Sequence, residues 1–315
     1  MKIKFLIVSY GSRQEILSKT LSSLQSSDLE VEIFIHLNSP DESLTRYSTE
    51  KADFVYVSNN NIGSAGGFKN LIDNSRVNNN CDFYILLDDD NFISKKSMFN
   101  IKNTLLKLDK YRIYGMYRTN RKSHRDLIEN GIDYSIFKVN SAFSKNLQYL
   151  LHKLSNKKHE PKYEANYGIY GGLVISNKVI SEIDSPDEKL VLYHDDYDFT
   201  RKAVKKLNKP IKYIPELKID DIETNPNRSF FDITKSKTID SIAYFAIRNP
   251  IKTCLRHDCK SKFMFLLNCL TYIFILTLYC LFLSDLGLKK RFTRIKILLI
   301  GFGDAFKKKS LFSKI

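Results

Sequence analysis

No CxxC pair occurs in this chain of 315 residues; its five cysteines, Cys81, Cys254, Cys259, Cys269 and Cys280, stand apart. The expected state is therefore free thiols in a reducing compartment, with no disulfide framework. The start, MKIKFLIVSYGS, holds a short apolar run without a long hydrophobic region or a small-residue cleavage site, so a first β-strand is expected there instead of a secretory leader. No internal repeat is present. The one glycine-rich stretch, NNNIGSAGGF, matches neither the dinucleotide fingerprint G-x-G-x-x-G nor a Walker P-loop. The basic clusters are not interleaved with stacking aromatics or glycine-rich loops, which argues against a nucleic-acid partner.

What is present is enough apolar residue, 43%, to bury a large core in one big domain or two ordinary ones. The formal charge of +15 is uneven. Residues 260–315 hold eleven Lys/Arg against two Asp, leaving only +6 for the first 259 residues. Within that tail, FMFLLNCLTYIFILTLYCLFL (263–283) carries no charge. As a helix it is about 31 Å long, enough to cross a hydrocarbon layer of about 30 Å. In the following segment, Phe292, Ile295, Leu299, Phe302 and Phe306 recur at helical spacing between basic ends. Such a helix suits an anionic membrane surface, although Gly301 and Gly303 weaken its continuity. The alternative is a buried helical hairpin in a soluble domain.

The first 250 residues alternate strand and helix signals: IKFLIV, VEIFIHL, DFVYV and CDFYILLD read as strands, QEILSKTLSSL and SAGGFKNLIDNS as helices. This rhythm predicts an α/β fold with a mostly parallel sheet and helices on both faces. Ligands bind such sheets at the carboxyl ends of the strands. Ser9, Tyr10 and Arg13 fall after the first strand, Asn38 after the second, Asn59–Asn61 after the third, and Asp88, Asp89 and Asp90 after the fourth. Residues 119–165 are polar, basic and weakly periodic and are expected to include a mobile loop.

Three adjacent carboxylates need a counter-charge. Asp88 and Asp90, two apart at a strand end, can face one divalent cation, Mn²⁺ or Mg²⁺, which would in turn hold a diphosphate. The alternative is an acidic turn with Asp89 and Asp90 solvated and one of them capping the next helix. Gly63, Gly66 and Gly67 either let backbone approach an anion at a helix start or form an ordinary loop. Ser12-x-x-Glu15 reads as a capping box. In LVLYHDDYDFTRKAVKKL (190–207) the acids either complement a helix dipole or supply a general base; His194 beside them is a ligand, an orienting group or a structural residue. YGIYGGLVIS, with Gly171 and Gly172, frames a sugar or makes a tight turn.

In order and spacing, FLIVSYGSR, LNSPDES, NNIGSAGGF, LLDDDN, YGGLVIS and HDDYDFTRKA together resemble a family 2 glycosyltransferase of the GT-A fold. YFAIRNP and the GFGDAFKKK end resemble its bacterial galactofuranosyl- and rhamnosyltransferase branch. The resemblance implies a GT-A domain over 1–250, with a donor-binding half of about 1–115 and an acceptor half of about 116–250, then a membrane-associating region over 251–315. It implies that Ser9, Tyr10, Arg13 and Asn38 line a nucleotide pocket and that Asn61, Gly63, Gly66 and Gly67 help hold the sugar nucleotide. Asp88 and Asp90 would form the metal motif with Asp89 near the donor, and Asp196 would be the base, with Asp195 its rival. Relatives often carry a further His ligand after the next strand; here that region reads IPELKIDDIETN, leaving Asp220 or Asp221 as substitutes, or the acid pair alone. The implied donor is a UDP-sugar first and a dTDP-sugar second, galactofuranose before rhamnose. The implied acceptor is a lipid-linked glycan at the cytoplasmic face of the cell membrane, with the protein held peripherally or by a single span. A sugar-1-phosphate nucleotidyltransferase would need a basic glycine-rich triphosphate loop, for which SYGSRQE is poor, and a non-catalytic membrane-surface binding protein is the remaining alternative.

Overall fold

A computed structural model describes residues 1–24, 29–77, 80–131, 161–223, 230–259 and 261–307. The strands are β1 (Lys2–Tyr10), β2 (Glu30–Asn38), β3 (Phe54–Ser58), β4 (Phe83–Asp88), β5 (Asn91–Ile93), β6 (Tyr114–Arg118), β7 (Glu164–Ala165), β8 (Leu173–Ser176) and β9 (Ile211–Asp221). The helices are α1 (Gln14–Ser23), α2 (Glu42–Lys51), α3 (Gly63–Val77), α4 (Lys95–Leu105), α5 (Lys122–Asn130), α6 (Asn177–Glu182), α7 (Asp195–Leu207), α8 (Asp240–His257), α9 (Lys262–Phe282) and α10 (Leu288–Ala305). The chain divides into two compact units. The first comprises Met1–Gly131, His159–Val191 and Asp195–Thr224; the second includes Leu192–His194 and the chain from Asn225 onward.

The first unit is a mixed α/β structure around one sheet, in the order β3-β2-β1-β4-β8-β6-β9-β5, with β7 also on β9. β1 pairs in parallel with β2 and β4, β2 with β3, and β6 with β9, while β8 runs antiparallel between β4 and β6. Helices on both faces explain why β1 and β4 are near-continuous apolar runs. Alternation sorts their side chains. Phe5, Ile7, Ile85 and Leu87 face a core with Leu17 and Leu21 of α1 and Met98 and Ile101 of α4. Leu6, Tyr84 and Leu86 face the opposite core, with Phe68 of α3 and Phe199 of α7. Val8 lies level with Asp88 and Tyr10 with Asn38, so the strands end together at one edge.

One local expectation changes. The capping box does not form: the cap residue of α1 is Arg13, with no side-chain cap hydrogen bond, and Glu15 pairs instead with Lys19 at 2.7 Å. Within 119–165, residues 122–130 form α5, and residues 132–160 lie outside the described part.

The second unit holds α8, α9 and α10. Ala243, Ile247, Ile251 and Cys254 recur at helical spacing on α8 and pack with Phe265, Cys269, Ile273 and Leu276 of α9 and Leu298 of α10. α10 runs unbroken through Gly301 and Gly303. A Cβ at Gly301 would stand 3.0 Å from the Tyr244 carbonyl, so glycine here allows close helix packing instead of breaking the helix. Tyr244 Oη donates to Asp304 Oδ2 at 2.9 Å across the same contact. Buried Arg294 donates to Asp240 Oδ1 at 2.9 Å and to the carbonyls of Ile233 and Thr238.

Candidate active site

The acid triplet is divided by the pleat. β4 ends at Asp88, and Asp89 and Asp90 form a turn. Asp89 comes out on the α1 side and is buried. Arg13 grips it with two bonds, Nε to Oδ2 at 2.8 Å and Nη2 to Oδ1 at 3.0 Å, and Ser9 Oγ donates to Oδ2 at 2.6 Å. Thr20 Oγ1 donates to the Asp89 carbonyl at 2.6 Å. Asp89 is therefore not a solvated turn residue, and the cap of the next helix is Ser94, whose hydroxyl accepts from Ser97 N at 3.2 Å. Arg13 also pairs with Glu223 at 2.8 Å and lies over the ring of the half-exposed Tyr10, 4.9 Å from its centroid.

Asp88 comes out on the α3 and α7 side. Its backbone N–H donates to Asn91 Oδ1 at 2.8 Å, and its Oδ2 lies 3.7 Å from Arg118 Nη2. Arg118, at the end of β6, is buried. It pairs closely with Asp221 of β9 and donates from Nη2 to the Gly171 carbonyl at 2.9 Å. A Cβ on Gly171 would collide with this guanidinium and with Asn91, and Gly172 beside it has φ +85. Glycine is thus required at 171 by close approach and at 172 by backbone conformation. Asp220 accepts from Thr119 Oγ1.

Asp90 has no ion pair among the described residues. Burial first, then the charges of Asp88, Asp221 and Asp89, push its pKa up to about 7. Burial also raises Asp88, against the pull of Arg118. Two carboxylates, Asp88 compensated by Arg118 only at 3.7 Å and Asp90 by no ion pair among the described residues, are hard oxygen donors that fit a divalent cation. Asp221 is committed to Arg118, and no group of three His, Cys, Asp or Glu forms a ligand cluster among the described residues. A cation held here would need further ligands beyond these side chains. His124 is buried with its ring edge-on to Tyr213, and burial first, then Arg118 and Arg121, push its pKa down to about 3, so it is neutral.

The glycine stretch starts α3. Asn38, buried at the end of β2, donates from Nδ2 to the Gly63 carbonyl at 3.2 Å and accepts Ile62 N–H at 3.1 Å. Asn61 Oδ1 accepts Gly63 N–H at 2.9 Å. Gly63 has φ +73, and a Cβ there would collide with the Val191 carbonyl. A Cβ on Gly67 would stand 2.8 Å from Val8, and one on Gly66 2.8 Å from Ile62, so these two serve close packing of α3.

Ser64 connects this loop to the second acid group, its Oγ donating to Asp195 Oδ2 at 2.7 Å. Asp195 is buried; Asp196 is partly exposed and its Oδ1 accepts Tyr197 N–H at 2.7 Å. Burial raises the pKa of both, Asp195 further, because Asp196 adds its charge. Asp88 acts on both in the same direction, so the two acid groups share one electrostatic environment. The turn before α7 is strained: Val191, a β-branched residue, has φ +62, and Tyr193 and His194 are also left-handed. In the second unit, His194 Nδ1 lies 3.2 Å from Thr253 Oγ1, and Asn249 Nδ2 donates to the carbonyls of Leu192 and Tyr193 at 2.5 and 3.1 Å.

The structure thus brings Asp88, Asp195 and Asp196 into one environment, with Gly171 and Asp90 beside Asp88, and Ser9, Arg13 and Asp89 on the adjoining α1 side. Sequence reasoning missed Arg118, Asn91 and Ser64. Arg118 had a usable signal, since it ends the short strand YGMYR at the same sheet edge.

No family model and no curated protein sequence matches the chain. Solved structures do. S. aureus TarS 1-349 superposes with a TM-score of 0.51 at 14% identity, over 97% of this chain and 81% of that one. The same protein in complex with UDP-GlcNAc gives 0.51 at 15% identity, over 98% and 82%. The mannosyltransferase PcManGT from Pyrobaculum calidifontis, in complex with GDP-Man and Mn²⁺, gives 0.50 at 9% identity, over 98% and 76%. At such identities the likeness is one of fold, and the shared fold is of GT-A type.

Proposed function

We propose that this protein transfers a sugar from a nucleotide diphosphate donor to a glycan acceptor. The observation that carries this reading is that Asp88, at the end of β4, shares one electrostatic environment with Asp195 and Asp196, at the start of α7, while Asp90 in the adjoining turn feels the charge of Asp88. The GT-A fold, and neighbours bound to UDP-GlcNAc and to GDP-Man with Mn²⁺, support it.

Asp88 and Asp90 would hold Mn²⁺ or Mg²⁺, which when bound supplies positive charge for a departing diphosphate. Asp196 is the base for an inverting transfer, taking the acceptor hydroxyl's proton onto its carboxylate. Two features favour it over Asp195. Asp196 is the more exposed, and Asp195 is raised further, so it holds its proton to higher pH. Asp195, fixed by Ser64, then positions the start of α7. Asn38 and Asn61 hold the loop that opens α3, whose N-terminus suits an anion. Ser9, Tyr10 and Arg13 shape the nucleotide side through Asp89, and Gly171 and Gly172 belong to the acceptor side.

The finer identities rest on the sequence resemblance. They are a UDP-sugar before a dTDP-sugar, galactofuranose before rhamnose, and a lipid-linked glycan acceptor in surface polysaccharide synthesis at the cytoplasmic face of the membrane. α9, long and apolar enough to cross a bilayer, is in keeping with membrane attachment. The test is a donor screen with Mn²⁺, reading thermal shift and released nucleoside diphosphate. Stabilisation and turnover with one sugar nucleotide are expected. Pyrophosphate release from a nucleoside triphosphate and a sugar phosphate would replace this reading with a nucleotidyltransferase.

A further inference from the structure

α9 has two different apolar sides. Phe265, Cys269, Tyr272, Ile273 and Leu276 are buried in the helical core of the second unit, and Cys280 is buried on the same side. Phe263, Leu266, Leu267, Leu270, Phe274, Leu278 and Phe282 are exposed, Phe263 by 74%, Phe274 by 61% and Phe282 by 72%. At about 100° per residue these seven fall on one stripe along the full length of the helix, opposite the buried set. Leu283, Leu288 and Phe292 continue the exposed apolar series into the first turn of α10. A continuous apolar stripe of this length is too large to be scattered surface residues and marks an interaction face.

We propose that this face docks onto an anionic lipid surface, with α9 lying in the plane of the membrane and sunk on one side instead of spanning it; the inference rests on the membrane attachment proposed above. Two observations favour the in-plane arrangement. A helix crossing a bilayer alone turns all its sides to hydrocarbon, whereas the inner side of α9 is committed to α8 and α10. Those partners carry charge along their length: Arg248 and Arg256 on α8, and Lys289, Lys290, Arg291, Arg294 and Lys296 on α10, groups that are expensive inside a bilayer. Drawing α9 across would strip it from this core or pull those cations in with it.

Charge argues for the kind of surface. Lys262 at one end of α9, Lys289 and Lys290 in the first turn of α10, and Lys296 further on are all exposed, while Lys307 pairs with Asp304 at 3.0 Å. Arg291 and Arg294 turn inward to carbonyls and Asp240, so they brace the hairpin and the lysines alone face outward. Lysines flanking an apolar stripe match anionic headgroups above an acyl layer.

The experiment uses the full chain, tagged at either terminus, and phosphatidylcholine vesicles with or without phosphatidylglycerol. Flotation with the anionic vesicles only, release by alkaline carbonate, and protease access to both tags from the same side are expected. Leu270→Glu with Phe274→Glu, both at exposed positions, should weaken vesicle binding by more than about tenfold without changing the far-ultraviolet dichroism. Lys289→Gln with Lys290→Gln should weaken it by roughly 25-fold at low salt, given about 1 kcal/mol per surface cation. Carbonate resistance, or a carboxyl-terminal tag shielded from protease, would overturn the in-plane arrangement while leaving attachment intact. Equal binding to neutral vesicles would overturn the role of charge. Failure to float at all, or a dimer in solution that Leu270→Glu with Phe274→Glu dissolves, would overturn both the proposal and the attachment it rests on.

Discussion

Two groups of adjacent aspartates lie in the first unit, and their repulsion is relieved by different means. At the end of β4 the protein supplies cations, Arg13 for Asp89 and Arg118 for Asp88, and leaves Asp90 without one among the described residues. At the start of α7, Asp195 and Asp196 receive a hydroxyl and a backbone N–H instead. Burial and mutual charge then favour a retained proton. Burial raises the acids of the first group too, so what separates the groups is their partners: fixed cations in the first, neutral donors in the second. On the proposed function the first group would serve a departing diphosphate and the second an incoming hydroxyl.

The sharpest way to break this contrast is to remove the proton acceptor alone. Asp196→Asn should cut turnover by roughly 10²–10⁴-fold, the usual worth of a positioned base, with calorimetric donor affinity unchanged. An equal loss of donor affinity would move Asp196 to the first group. The complementary change, Asp88→Ala with Asp90→Ala, should abolish the dependence of donor binding on Mn²⁺. Calorimetry that finds the same Mn²⁺ dependence as in the wild type would remove the cation from this site.

The fixed cations can be tested by stability. Arg13→Ala leaves Asp89 buried without its partner, a change that costs about 3 kcal/mol. Adding Asp89→Asn should recover a large part, because the stranded charge is gone. Urea unfolding of the single and double variants measures the difference. If the double variant is no more stable than Arg13→Ala, the loss comes from the start of α1 and not from the ion pair.

The sheet could be read from the sequence because strands covered on both sides must be apolar almost throughout, as β1 and β4 are. The strand-end rule then located Ser9, Asn38 and the acid triplet without any family knowledge. It could not show which neighbour each acid meets. Arg13 and Asp89 are 76 residues apart, and only the pleat decides that Asp89 turns to α1 while Asp88 turns to α7. The capping box failed for the same reason: Ser12 and Glu15 had the local pattern, but the bonds of Arg13 to Asp89 fix where α1 begins. Arg118 went unnoticed because YGMYR is short and stands before a basic, polar stretch. The inward Arg291 and Arg294 likewise look like tail charge in the sequence, and only the hairpin shows that they brace it.

The finest test separates charge compensation from proton uptake at one residue, Asp90. Its pKa rises from 3.8 in the unfolded chain to about 7 in the folded one. Below 3.8 both states carry the proton, and the acid contributes no pH dependence. Between 3.8 and about 7 the folded state holds a proton that the unfolded state has lost. Stability therefore falls as pH rises, by up to about 1.4 kcal/mol per unit, and levels off above the folded value. Asp90→Asn should remove one proton's share of that slope, leaving the same-signed contributions of Asp88, Asp89, Asp195 and Asp196 in place. Saturating Mn²⁺ should flatten the wild-type slope as well, since a bound cation favours the ionised carboxylate and draws the folded value back toward the unfolded one. If urea midpoints between pH 4 and 7 fall equally in wild type and Asp90→Asn without metal, Asp90 is not the uncompensated acid. The division between the two groups would then have to be drawn elsewhere.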